Sequence, residues 1–555
     1  MTKRYLWILL LICLTTGLQA QPSWSKKAVK SVFTLKTFDA GGQLLGASTG
    51  FFVGEQGEAV AAYAPFRGAS RAVVIDAGGK ELPVAVMLGA SETYDVAKFR
   101  VEVKKTVPLP VAAQAAAVGQ TVVVLPYREP KKTAEGTVGK VETFNQAYEY
   151  YSVTLQPETG TVGTPLLNEQ GEVVALLQQS HEGDTLCYAV SARFADGLHM
   201  TGLSLNDPAL KAVKIKKALP ADLGQAQLML YLGAASLDSA AYAAMADDFI
   251  LQFPAAPDGY QTRAGLAVAA GRFAEAQRDM EQALSVADDK AEAHNAYSRL
   301  ILQKEVYKAG MPYEPWSLDL ALQQAEEAWR LSPLPAYRQQ QALVLFAKKD
   351  YQRAYDCYME LAQTPLRSAE VFYEASRCKA LLHDTVAQAA LLDSAVATFT
   401  QPYLKEAAPY LLARAQMALS QGRYRGAFLD LNEYETLMRS RLNANFYYMR
   451  YQACVGGRLF QQGINDISKA IELQPKEPFY YSEKASLEVR VGLYTDAEQT
   501  ARQLIQLAPE QSDGYLFLGL AQCLSDQKAE GIRNLEKARD MGDPQAAGLI
   551  SRYAQ

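Results

Sequence analysis

Thr159-Gly160-Thr161-Val162-Gly163-Thr164-Pro165-Leu166-Leu167-Asn168 runs almost directly into Gln170-Gly171-Glu172-Val173-Val174-Ala175-Leu176. The glycines mark a tight loop, since glycine alone enters left-handed backbone without steric cost. The aliphatic run that begins at Val173 is bounded by a Gln-Gly turn and reads as a strand. Similar short runs lie on both sides: Val32-Phe33-Thr34-Leu35-Lys36, Gly50-Phe51-Phe52-Val53, Ala72 to Ile75, Leu82 to Met87, Thr121 to Leu125, Tyr151 to Leu155 and Leu186 to Val190. Turn residues separate them at roughly ten-residue intervals, which predicts an all-β barrel or sandwich rather than a βαβ fold.

At 555 residues the chain exceeds one core, and two to four domains are expected. It is 49% hydrophobic and 21% charged with a formal net charge of −5, a balance that gives no electrostatic footprint for nucleic acid. A mean hydropathy of −0.12, with no long apolar run after the N-terminus, argues against a membrane span. Residues 1–20 carry Lys3 and Arg4, a short apolar run from Leu6 to Cys13, and a small residue at Ala20. This pattern predicts a signal peptide and an exported chain. Beyond it stand Cys187, Cys357, Cys378, Cys454 and Cys523, an odd and widely spaced set. Buried structural thiols are expected, with a Cys357–Cys378 bridge as the open alternative. Neither histidine nor acidic spacing suggests a metal site, and no cofactor motif occurs.

Four segments recur in an order that resembles the chymotrypsin-like (trypsin-like) serine proteases. Ser48-Thr49-Gly50-Phe51-Phe52-Val53 is similar to that family's G-[ST]-G-F strand. Ala61 to Ala69 takes the place of the segment that carries its histidine, and the histidine position reads Ala64. Asp95-Val96-Ala97-Lys98-Phe99-Arg100-Val101 is similar to the segment of the orienting aspartate, matched by Asp95. The opening stretch is similar to G-[ND]-S-G-G-P-L, with Val162 in the nucleophile's place. The resemblance implies a trypsin-like double barrel over residues 23–200 and a degenerate triad at Ala64, Asp95 and Val162. Residual oxyanion-loop positions would be Gly160, Thr161 and Gly163.

Such proteases need a hydroxyl nucleophile, an imidazole base and a carboxylate that fixes its tautomer. Loss of serine or histidine alone typically costs about 10⁶-fold in turnover. Thr164 in place of a second glycine, and Pro65 beside Ala64, are further departures from the family pattern. His181 and His199 are the histidines of this region, and Ser180-His181 would be a poor pair because strand neighbours face opposite ways. No catalytic residue is therefore assigned.

Residues 201–222 hold Pro208, Pro220 and the run Lys211 to Lys217, and read as a linker with a solvated lysine face. From residue 223 the period turns helical. Gly463, Ala497 and Gly531 lie 34 apart, as do Pro475 and Pro509. The same frame recurs at Ala276, Ala321, Ala354 and Ala427, and large aromatics fall at Tyr260, Tyr447, Tyr481 and Tyr515. This resembles the tetratricopeptide repeat, and predicts an all-α solenoid over 223–546 of about eight or nine units, followed by a tail at 547–555. An insertion from Lys304 to Trp316, with Pro312 and Pro315, interrupts the second recognisable unit.

The expected molecule is a multidomain, exported, non-catalytic scaffold that binds a protein or peptide through its repeats, with the periplasm as its compartment. The alternative is an active serine-type endopeptidase with a non-family nucleophile.

Overall fold

Alternation along β1 (Val32–Phe38) sends Phe33 and Leu35 to one core and Val32 to another. The computed structural model describes residues 23–125, 134–144, 148–155, 162–178 and 186–554, in two units that span 1–287 and 288–555. The predicted signal peptide and His181 lie outside the described residues.

In the first unit β1, β2 (Leu44–Phe52), β3 (Glu58–Ala62), β4 (Arg71–Ile75), β5 (Glu81–Ser91) and β6 (Val96–Val101) close in the order β1-β2-β3-β6-β5-β4. A second barrel repeats this topology with β7 (Thr121–Val124), β8 (Ala134–Phe144), β9 (Tyr148–Thr154), β10 (Pro165–Leu167), β11 (Val173–Leu177) and β12 (Leu186–Ser191). Closure leaves no unpaired edge to manage. Each barrel has its own interior, and Phe51, Val60, Val96, Leu167, Val173 and Leu176 form a separate core between them. The predicted trypsin-like double barrel is therefore present.

The stretch expected as a linker is instead packed. A helical turn at Pro208–Ala212 and an extended segment after it bury Leu210, Val213, Ile215 and Leu219 in the core of the first barrel. Backbone pairing fastens the extended part to β5, with Met87 N–H donating to Lys216 (2.8 Å) and Ala218 N–H to Met87 (3.0 Å). The lysine face is solvated at Lys211, Lys214 and Lys216, but Lys217 is half-buried and donates to the Val213 carbonyl. Burial, with some help from Lys214, pushes the Lys217 ammonium down to about 8. The same core continues through Met229 and Leu230 of α1 (Leu223–Ser236) and Met245 and Phe249 of α2 (Ser239–Gln252). The first helices thus belong energetically to the β region.

A second hairpin, α3 (Pro257–Ala269) and α4 (Phe273–Val286), completes the first unit. The second unit is all-helical among the described residues. Its hairpins are α5 (Lys290–Tyr307) with α6 (Leu318–Leu331), α7 (Pro335–Ala347) with α8 (Tyr351–Leu361), α9 (Ala369–Leu381) with α10 (Thr385–Val396), α11 (Ala408–Ser420) with α12 (Tyr424–Met438), α13 (Ala444–Gly456) with α14 (Phe460–Leu473), α15 (Pro478–Val491) with α16 (Tyr494–Leu507), and α17 (Ser512–Leu524) with α18 (Lys528–Asp540). Ala276, Ala321, Ala354, Ala427 and Ala497 are each 0% exposed, as their place in the repeat frame requires. The expected C-terminal tail is instead largely helix, α19 (Ala546–Tyr553), which packs on the last hairpin through Leu549 and Ile550. The insertion is anchored inward: Trp316 is buried, and its Nε1 donates to the Tyr297 hydroxyl at 3.0 Å. All five described cysteines are free thiols, so the Cys357–Cys378 bridge is not formed. Burial pushes the Cys357 thiol up to about 11 and the Cys378 thiol up to about 12.

Three hairpins share a clamp. Arg263 grips Asp279, Arg414 grips Asp430 and Arg450 grips Asp466, each by paired hydrogen bonds across a spacing of sixteen residues. Each arginine also reaches an acid earlier in the chain: Asp247, Asp393 and Glu435 respectively. Arg450 and Asp466 are the most enclosed, at 11% and 4% side-chain exposure. Removing one partner of a buried pair strands the other charge.

Two outcomes are expected. Arg450→Ala should destabilise the second unit by about 3–5 kcal/mol in denaturant titration; a loss below about 1 kcal/mol would mean that Asp466 is rehydrated at no cost. Phe249→Ala, a helix substitution, should cost about 3–5 kcal/mol and should reduce hydrogen-exchange protection in β5. Unchanged protection there would refute a shared core.

Candidate functional site

β3 delivers Tyr63 and Ala64 to the barrel rim. Tyr63 is buried, and its hydroxyl donates to the Ala209 carbonyl of the connector at 3.0 Å. Ala64, Pro65 and Phe66 then form a single 3₁₀ turn. Pro65, a departure in the sequence comparison, suits this turn because its fixed φ matches the start of a helical segment. The loop stays strapped to the connector by Gly68 N–H to Ala212 (2.8 Å) and Lys214 N–H to Ala69 (2.7 Å).

Asp95 stands at the mouth of β6 with φ of 50°, a left-handed conformation that Asp tolerates better than most residues. Its Oδ1 accepts the Ala64 backbone N–H at 2.7 Å, and its carbonyl accepts the Tyr63 N–H at 3.2 Å. The structure therefore brings Ala64 and Asp95 together, but through backbone rather than side chain. Burial raises the Asp95 carboxyl above its ordinary range, opposed by the Ala64 and Tyr63 N–H groups and by the Arg67 charge. Among the described residues no histidine ring hydrogen-bonds to a hydroxyl; His294 meets Gln324 at 2.6 Å, and His199 is exposed.

Val162 approaches from the second barrel. Its carbonyl accepts the Thr49 N–H of β2 at 2.9 Å, and β2 pairs with β3 at Gly50 and Ala61. This ladder ties the Val162 loop to the strand that leads to Ala64. Gly163 has φ of 82°, and a Cβ there would fall 2.0 Å from the Thr49 carbonyl oxygen, so both backbone and space demand glycine. Its N–H is already committed to the Leu177 carbonyl at 2.8 Å. Thr164 is buried, lacks a positive φ and accepts the Leu177 N–H through its carbonyl at 3.0 Å. The β-branched residue therefore fits without strain. Gly160 and Thr161 lie outside the described residues.

Residues that sequence reading missed line the far side. Gln178 follows β11; its Nε2 donates to the Tyr94 carbonyl at 2.5 Å, and its Oε1 accepts the Tyr150 hydroxyl at 2.8 Å. Tyr150 stacks with Tyr188 at 6.0 Å, while Phe194 packs on Tyr94 at 4.0 Å and edge-on to Tyr148 at 5.0 Å. Tyr148 and Tyr150 share a strand face by their spacing of two, the one available sequence signal. Burial raises the Tyr150 hydroxyl, with Tyr188 and Asp95 contributing, so it stays protonated as a donor.

In the second unit a groove of about 540 Å³ opens among α5, α7, α8 and α9. Val306, Tyr307 and Leu343 stand exposed along it, with Phe346 and the Glu374–Arg377 pair beside them. Among the described residues no helix is long and apolar enough to cross a membrane.

A carboxyl whose folded pKa is raised holds its proton more tightly when folded. Its contribution is then complete at low pH and is lost as pH rises through the folded pKa. Asp95→Asn keeps an acceptor oxygen for Ala64 and deletes the half-buried charge. The variant should melt higher than the parent above about pH 6 and match it near about pH 3. A lower melting temperature at neutral pH would mean that the ionised carboxylate is held by a favourable partner.

Residues 48–176 match the family of trypsin-like peptidase domains. The active form of the Rv3671c protease from M. tuberculosis is similar at 19% identity and a TM-score of 0.29, over 37% of this chain and 89% of that one. The serine endoprotease from Yersinia pestis is similar at 14% identity and a TM-score of 0.28, over 33% and 66%. The E3 ubiquitin-protein ligase CHIP of Arabidopsis thaliana is 28% identical over 89 residues, 16% of this chain, which spans about a third (32%) of that relative's length. The N-terminal region of this chain is thus similar to trypsin-like peptidase domains and is built as paired six-stranded barrels, and an all-α region of helical repeats follows it.

Proposed function

We propose that this chain is an exported, non-catalytic scaffold that acts in the periplasm and binds a protein or peptide through its helical repeats. The observation that carries this reading is the bonding of Asp95. Its carboxylate takes a backbone N–H from Ala64 at 2.7 Å, and Ala64 has no nitrogen in its side chain to relay. With Val162 at the nucleophile's place, neither a base nor a nucleophile remains in family register. An orienting carboxylate without an imidazole performs no proton transfer. What is left of such a site is roughly 10³–10⁴-fold over water at best, from binding and electrostatics.

Support for the binding half comes from the repeats. Hairpins that cannot bury their faces alone must stack, and the stack presents an extended surface. The groove beside Val306, Tyr307 and Leu343 supplies exposed apolar area of the kind that partners cover.

The test treats purified full-length protein with a fluorophosphonate probe and follows casein degradation in parallel. No labelling and no cleavage are expected. Stoichiometric labelling that a single Ser→Ala substitution abolishes would establish the endopeptidase reading instead. For the binding half, Leu343→Asp combined with Val306→Asp should weaken capture of envelope proteins at least tenfold, with helical content unchanged.

A further inference from the structure

Within the second unit, two consecutive hairpin turns come together around a basic cavity of about 410 Å³. One turn joins α11 to α12 and contributes Gly422 and Arg423, with Arg425 in the first turn of α12. The other joins α13 to α14 and contributes Gly457 and Arg458. The two turns are held in register by direct contacts. The Tyr424 ring lies flat over Gly456, where a Cβ would come within 2.4 Å of ring carbons, so only glycine admits it. Arg425 Nε reaches across to the Gly457 carbonyl at 3.4 Å.

The charge of this cavity is uncompensated. Arg414 and Arg450, in the helices of the same hairpins, are each locked to carboxylates. Arg423, Arg425 and Arg458 are not: among the described residues none of the three enters an ion pair, and no acidic residue lines the cavity. Arg423 meets only a neutral partner, Gln421 Oε1 at 2.9 Å. In a chain with a net charge of −5, three exposed arginines around one open depression without a lining carboxylate are a local inversion of sign. Mutual repulsion opposes the arrangement, and an anion that enters would relieve it.

We infer that this cavity binds the phosphate group of a phosphorylated ligand. A single carboxylate satisfies one guanidinium fork. A phosphate group offers three oxygens and up to two charges, which suits several arginines around one site. The volume exceeds that of a bare ion and admits part of the carrier. The phosphate can be presented by a soluble molecule or by a lipid headgroup, since the chemistry at the arginines is the same. The turns are separate from the barrel rim and from the apolar groove, so this site stands independently of the scaffold reading.

The experiment uses the full chain and isothermal titration with sodium pyrophosphate, against sodium chloride at matched ionic strength. A parallel arm measures co-sedimentation with phosphatidylcholine vesicles that contain or lack phosphatidic acid. Saturable pyrophosphate binding is expected, weakened at least about tenfold in the Arg423→Ala/Arg458→Ala double variant, as loss of charge-assisted hydrogen bonds requires. Arg458→Lys keeps the charge but loses the fork and should weaken binding severalfold, which also covers the case of a poorly folded double variant. Binding of phosphatidic acid vesicles without pyrophosphate binding would assign the headgroup as the source. Absence of saturable binding in both arms, or equal binding by parent and Arg458→Lys with the double variant folded and unimpaired, would overturn the proposal.

Discussion

Everything at the barrel rim depends on the apolar connector that follows the second barrel. Leu210, Val213, Ile215 and Leu219 join the first barrel's core together with Met229 and Phe249 of the helices. Their burial holds the backbone that in turn holds the rim, because Ala209 and Ala212 accept from Tyr63 and Gly68. Each buried aliphatic side chain is worth about 1.5–3 kcal/mol, whereas one hydrogen bond nets about 1 kcal/mol. Hydrophobic closure therefore supplies the energy, and the hydrogen bonds specify where the Ala64 turn sits. The rim is preorganised from outside the double barrel.

This explains why parts of the fold were legible and others were not. Runs such as Val32 to Lys36 and Val173 to Leu177 announce themselves, because β-branched and aliphatic residues suit a pleated, buried surface. β3 reads Glu-Ala-Val-Ala-Ala and carries little such signal; its strand state comes from pairing with β2 and β6. The connector carried a period-two signal in Val213 and Ile215 between Lys214 and Lys216, but the lysines and flanking prolines disguised it as a linker. The helical repeats were the easiest to read, since crossing helices exclude side chains at fixed positions. The arginine clamps were invisible for the opposite reason: their partners sit on different helices, and a spacing of sixteen has no meaning until the hairpin closes.

The candidate positions could be named from the sequence, but their bonding could not. The sequence placed Ala64, Asp95 and Val162 in order, and two of the three are joined directly. What order alone could not tell is how Asp95 satisfies its oxygens. A half-buried carboxylate with no cation bonded directly to it must find N–H donors or become protonated. Asp95 does some of both, taking backbone N–H groups while its pKa rises. The aromatic wall of Tyr94, Tyr148, Tyr150, Tyr188 and Phe194 was likewise hidden, because its members converge from four separate segments.

Gly163 gives the strictest reading of the opening stretch. A loop free of the neighbouring barrel would have no need of glycine at this position. Here the Thr49 carbonyl leaves no room for a Cβ, and φ is 82°. Thr164, one residue on, has ordinary backbone and tolerates a β-branched side chain. The constraint on this stretch is therefore the approach of one barrel to the other, through Thr49 and Val162, and that constraint is indifferent to whether a hydroxyl or an isopropyl group projects beside it. The backbone frame of the loop and the chemistry of the side chain at Val162 are physically independent here. Gly163 holds the frame of the loop through its backbone, whatever side chain stands at the preceding position.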